Sequence, residues 1–157
     1  MDKVEIEKII RNYLPSVVHL SLATVQNNIP WVCEVHFAYD KELNLYFRSL
    51  ESRRHSQEIA KNPNVAGNIV RQHELGDKVI GGYFDGKSQK LNAGKDQEKA
   101  FQCIKNCLSA SDDILEEASR EDGHQFYKIT VSNWYVFGRF DEDRAQKHKL
   151  QWHGGEK

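Results

Sequence analysis

Three guanidinium groups and two hydroxyls lie close together in Arg48-Ser49-Leu50-Glu51-Ser52-Arg53-Arg54. Arginine forks and small hydroxyls are the groups that bind phosphate through charge-assisted hydrogen bonds. Their setting strengthens the point. The apolar run Leu43-Asn44-Leu45-Tyr46-Phe47 predicts a strand, and a helix ending at Lys61-Asn62-Pro63 follows it after a short turn. Ser52 is the predicted N-cap, its hydroxyl accepting from a free backbone N–H of the first turn. Arg53 and Arg54 then fall in that first turn, where the helix dipole favours acidic side chains instead. A bound anion resolves the conflict: it would meet free N–H groups, the Ser49 and Ser52 hydroxyls, and Arg48, Arg53 and Arg54. A solvated helix face is the competing reading, and the residues alone leave both open.

The elements that position this stretch follow from periodicity. Ile6, Ile9, Ile10, Tyr13 and Leu14 recur at helical spacing, and the helix should stop before Pro15. Val17 to Val25 reads as a strand, Gln26-Asn27-Asn28 as a turn, and Pro30 to Tyr39 as a second strand with neither face cleanly apolar. With Leu43–Phe47 these form a predicted antiparallel meander. Val65 to Arg71 and Val79 to Phe84 are further strands, with Gly81-Gly82 marking a bulge or a close approach. Asp85-Gly86 reads as a hairpin turn and Lys87 to Leu91 as its return. Asp96 to Leu108 is a helix, a short second helix covers Ile114, Leu115 and Ala118, and Phe126–Val131 and Trp134–Phe140 are two strands split at Ser132-Asn133. The expected fold is mainly β: a six- to seven-stranded antiparallel barrel with helices packed outside. Residues 1–157 are expected to form one domain, with a core over about 15–140 and a polar, mobile tail over 141–157 in which Trp152 could dock.

Composition narrows the ligand. The net charge is −1, with 22 Lys and Arg against 23 Asp and Glu, so no global field favours nucleic acid or an anionic membrane. The basic cluster is local, which suits a small anion. No apolar run approaches the roughly 20 residues of a membrane span, and Met1-Asp2-Lys3-Val4-Glu5 has no apolar signal segment. Cys33, Cys103 and Cys107 show no paired spacing, which argues against a disulfide framework and fits a reducing cytoplasm. Cys103 and Cys107 share a helix face, but zinc wants about four ligands, so no metal site is expected.

The run Leu45 to Arg54, followed by Gln57 and by Lys61-Asn62-Pro63-Asn64-Val65-Ala66, resembles the flavin-binding split barrels of the pyridoxamine-phosphate-oxidase-like superfamily. The Leu-Ala-Thr-Val strand, the Pro-opened second strand and Trp134-Tyr135-Val136-Phe137-Gly138 agree, and the small bacterial YhbP-like branch is the nearest match. The resemblance implies a homodimer with FMN in clefts at the subunit interface. It matches Ser52, Arg53 and Arg54 to the family's phosphate-binding Ser-Arg-Lys, and Arg48 and Ser49 to its Thr-Asn pair. Val32, Cys33, Glu34 and Val35 match the strand edging the isoalloxazine ring, with Glu34, His36 and Tyr83 as polar groups near it. The oxidases proper carry an Arg and a Lys where this chain has Val32 and Phe37. Their C-terminal Arg and His pattern is missing too, although Arg139, His148 and His153 lie late. Vitamin B6 oxidation is therefore not implied. The expected function is an FMN-dependent oxidoreductase on a small substrate, the alternative a flavin- or haem-binding protein without turnover.

Overall fold

A computed structural model describes residues 1–140 and 143–152; His153 lies outside them. Eight antiparallel strands form one sheet: β1 (His19–Gln26), β2 (Ile29–His36), β3 (Ala38–Tyr39), β4 (Leu45–Ser49), β5 (Asn64–Val70), β6 (Ile80–Lys90), β7 (Gln125–Gly138) and β8 (Gln146–Gln151). The helices are α1 (Lys3–Tyr13), α2 (Arg54–Lys61), α3 (Lys95–Leu108) and the single turn α4 (Ile114–Glu117). The sheet order is β2-β1-β5-β6-β7-β4-β3, with β8 also on β7. Its two outer members, β2 and β3, are separated in sequence by Phe37 alone, so the sheet curls until its ends meet. Phe37 makes the corner, donating its N–H to the Val18 carbonyl at 3.1 Å with its ring buried.

That corner corrects the predicted meander. The second strand breaks at Phe37, and β4 pairs with β3 and β7, not with β2. β4 begins at Leu45 because Leu43 sits in the left-handed region (φ 58°), held by a turn in which the Asp40 carboxylate accepts from the Asn44 N–H at 2.9 Å. The Asn27-Asn28 turn forms as read, both residues having positive φ in the two-residue hairpin β1–β2. The Asp85-Gly86 hairpin does not form: β6 runs straight through it. β7 is likewise unbroken at Ser132-Asn133. Both signals mark one irregularity. Asp85 pairs with Asn133 and Gly86 with Val131, leaving Ser132 as a bulge. The freed Ser132 carbonyl accepts from the Trp152 N–H at 2.8 Å. The polar tail therefore contains a strand, β8, and Trp152 docks as expected, its indole donating to the Glu42 carbonyl at 2.6 Å.

Leu20, Leu22, Phe37, Phe47, Ile69, Phe84 and Trp134 fill the interior, and Ile6, Ile10 and Tyr13 of α1 close it. A second cluster joins α3 (Ala100, Phe101, Ile104) to Tyr46 and Phe126 on the outside of β4 and β7. β4 is thus buried on both faces, which explains its near-continuous apolar run and fixes the strand that carries Arg48. No helix of the described residues is long and apolar enough to cross a membrane.

Candidate functional site

A groove of about 530 Å³ runs between β2 and the turn from β4 into α2. It gathers Arg48, Ser49, Arg53 and Arg54 with Cys33, Glu34 and Val35, and His36 also lines it. Strands far apart in sheet order reach one groove because the curl returns β2 to β4. Val32 is not in the lining; it stands on the outer face opposite Ala23, 59% exposed. Ser52 is exposed outside the lining, and Tyr83 is on β6, its ring under the Lys147 ammonium.

The three arginines are not equivalent. Arg48 donates to Glu117 Oε2, while its Nε is buried with no partner. Arg54 donates from Nε to Glu58 Oε1 at 2.8 Å and stacks its guanidinium 4.3 Å from the Trp31 ring centroid. Glu58 is buried and also accepts from Thr24 Oγ1 at 2.5 Å. The Thr24 and Arg54 hydrogen bonds hold its carboxyl below the usual range against burial. The Arg53 guanidinium has no ion pair among the described residues.

Helix α2 starts one residue later than predicted. Arg53, not Ser52, occupies the N-cap, and no side chain caps the first turn. Ser49 lies beneath that turn, buried, its Oγ 2.8 Å from His55 Nε2 and accepting from Ser56 Oγ at 3.0 Å. Its hydroxyl therefore braces the turn. Burial, and then the Arg53 charge, push His55 down and keep its imidazole neutral. The Cys33 thiol is raised to about 11, chiefly by burial and further by Glu34 and Glu58, so it stays protonated and is a wall, not a nucleophile.

Sequence reasoning missed one wall of the groove. His124 lines it, one residue beyond the Ser49–Gln125 pair of β4 and β7. Glu117 Oε1 accepts from the His124 N–H at 3.0 Å and faces His124 Nδ1 at 2.7 Å. The turn between them is tight: a Cβ on Gly123 would lie 1.9 Å from the Glu117 carbonyl oxygen. The His124 N–H first, then its ring and Arg48, hold Glu117 down to about 2 against burial. The stability it contributes is therefore present above its ordinary value of 4.5 and is lost as pH falls toward about 2. Glu117→Gln should lower stability near neutrality and converge on wild type in strong acid; urea unfolding at several pH values checks this, and a gap unchanged at low pH would refute it. No local periodicity points to His124 or Glu117. Only the β4–β7 ladder brings them to Arg48.

A second hollow of about 550 Å³ lies beside Asp40, Lys99 and Cys103. Its Lys99 is paired with Asp40 and Glu42, both at 3.1 Å. The groove, with an uncapped helix start, an Arg53 without an ion pair and an Arg48 Nε without a partner among the described residues, holds donors that lack an acceptor. Those donors fit a phosphate group.

No family model matches the chain. It is 28% identical over 92 residues to the UPF0306 protein PM1958 of Pasteurella multocida, a match spanning 58% of this chain and 58% of that relative. Among solved structures it superposes on a haem-binding protein from Mycobacterium smegmatis with a TM-score of 0.71 at 16% identity, over 88% of this chain and 55% of that one. A FAD-binding protein from Mesorhizobium loti gives 0.66 at 18% identity, over 83% and 90%. A candidate pyridoxamine 5'-phosphate oxidase from Listeria innocua gives 0.62 at 18%, over 83% and 96%. The chain has the split β-barrel fold. The split barrel expected from Leu45 to Ala66 is therefore the observed architecture, with β8 adding an eighth strand. Its solved neighbours include both flavin and haem binders.

Proposed function

We propose that this split barrel binds FMN in the β2–α2 groove and works in the cytoplasm as a homodimeric, flavin-dependent oxidoreductase on a small substrate. The observation that carries the reading is the uncapped start of α2, where the unpaired Arg53 and the exposed Ser52 stand at the position that the family resemblance gives to the phosphate. Arg53, the terminal nitrogens of Arg54 and the α2 N–H groups would hold the phosphate, with Arg48 at the groove wall. The Cys33–Val35 backbone would run beside the ring system. FMN supplies redox chemistry of its own; the chain supplies binding, orientation and access.

The homodimer rests on β2. Ile29 and Val32 are 59% exposed and Trp31 40%. Clustered apolar side chains at the rim of a ligand groove suit a closed two-fold interface. Light scattering should give a dimer mass at micromolar concentration; a monomer would overturn the interface cleft.

Fluorescence titration with FMN tests the binding, and bleaching of the bound flavin by NADH or NADPH tests turnover. Saturable binding without bleaching would leave a carrier or sensor. Arginines also suit the carboxylates of haem, so hemin is titrated alongside. A Soret shift with no FMN quenching would replace the flavin reading by a haem one.

A further inference from the structure

The charges of the groove leave a phosphate only partly matched. Arg48 is paired with Glu117 and Arg54 with Glu58, so each pair is close to neutral. Arg53 adds one positive charge, which Glu34 on the opposite wall offsets. A phosphate monoester carries about −1.5 to −2 near neutrality. One more cation is required, and His124 is placed to supply it. It sits one residue past the Ser49–Gln125 pair and lines the groove with Leu50, whose carbonyl accepts the Arg53 N–H at 3.1 Å. The imidazole is thus at the same end of β4 as the start of α2. Glu117 takes its Nδ1–H, which leaves Nε2 as the nitrogen to receive a proton and donate into the groove.

We propose that His124, as an imidazolium braced by Glu117, is the fourth cationic group of this anion site and makes the groove select a terminal phosphate monoester. The inference rests on the proposed placement of a phosphate at α2. Binding a dianion draws one proton from buffer onto His124 Nε2; no other bond changes. A phosphate diester carries one charge per phosphorus and draws none. The remaining charged and titratable groups are Cys33, Glu34 and His36 on β2, Arg48 on β4, Arg53 at the N-cap, and Arg54 and His55 on α2, with Glu117 and Glu58 behind Arg48 and Arg54. The lowered Glu58 and Glu117 keep their charge between about pH 7 and pH 9, and His55 is held neutral.

Calorimetry with FMN and FAD, in buffers of different ionisation enthalpy, tests the inference at about pH 7 and pH 9, above the second ionisation of phosphate near 6. Wild type should take up a proton on binding FMN at the lower pH, and its FMN affinity should fall about tenfold at the higher, the loss of one charge-assisted hydrogen bond. FAD should show neither effect. His124→Gln should abolish the uptake and flatten the profile, and His124→Lys should bind FMN tightly at both pH values, which a merely structural role would not produce. Equal uptake in wild type and His124→Gln would overturn the proposal, pointing to His36 or His55. Binding of FMN with no pH dependence would overturn it while leaving the FMN reading intact. Failure of wild type to bind FMN at either pH would overturn both.

Discussion

Arg53→Ala should weaken FMN binding about tenfold to a hundredfold and leave riboflavin binding unchanged. The range is the loss of one or two charge-assisted hydrogen bonds to phosphate, and riboflavin has no phosphate to lose. Stability should hold, because Arg53 forms no ion pair among the described residues and a cation at the start of a helix opposes the dipole. Arg54→Ala is the contrast. It should weaken FMN binding and also lower stability by about 1–3 kcal/mol, since it leaves the buried Glu58 carboxylate with Thr24 alone. Fluorescence quenching and urea unfolding on the same two variants separate these effects. Equal losses of FMN and riboflavin in Arg53→Ala would mean that the residue shapes the groove and does not read the phosphate. Unchanged FMN affinity would mean that the arginines are only a solvated face.

The largest effect on stability is expected at Trp134. Its side chain is fully buried, its ring centroid lies 5.8 Å from that of Phe84, and it meets Ile10 and Tyr13 beneath α1. Trp134→Ala should cost about 3–5 kcal/mol. Trp134→Phe should cost much less, since it keeps an aromatic ring and removes an indole N–H that is buried without a partner. Folded Trp134→Ala should bind FMN as wild type does, because neither Trp134 nor any residue of α1 lines the groove. A loss below about 1 kcal/mol would refute the central place given to this residue.

What was legible in the sequence was local. The Asn27-Asn28 hairpin, the Arg cluster at a strand-to-helix turn and the helical stripe of α3 each follow from a few adjacent residues. The corner at Phe37 was not legible, because its cause is an N–H···O=C bond to Val18 on another strand. The bulge was half visible. Asp85-Gly86 and Ser132-Asn133 both carry turn chemistry, yet the long β6–β7 ladder overrides it and absorbs both in one extra residue. At the groove, Ser49 was read as a ligand because its burial under His55 and Ser56 depends on how α2 packs. Glu117 and His124 stayed hidden because they lie some 70 residues from Arg48 along the chain and meet it only through the pairing of β4 with β7.

That pairing also sets the order in which the protein can be made. On the ribosome, β2, β4 and the arginine turn emerge early, but β4 has β7 as its long partner, and β7 ends at Gly138. Until then one edge of β4 has no strand to pair with, and the wall of the groove that carries His124 does not exist. A nascent chain therefore exposes an unpaired apolar strand edge until β7 emerges, the situation in which unfinished sheets aggregate and chaperones are recruited. The ligand proposed for the groove would be taken up only after Gly138 has emerged, so cofactor supply would act on the closed barrel and not template it.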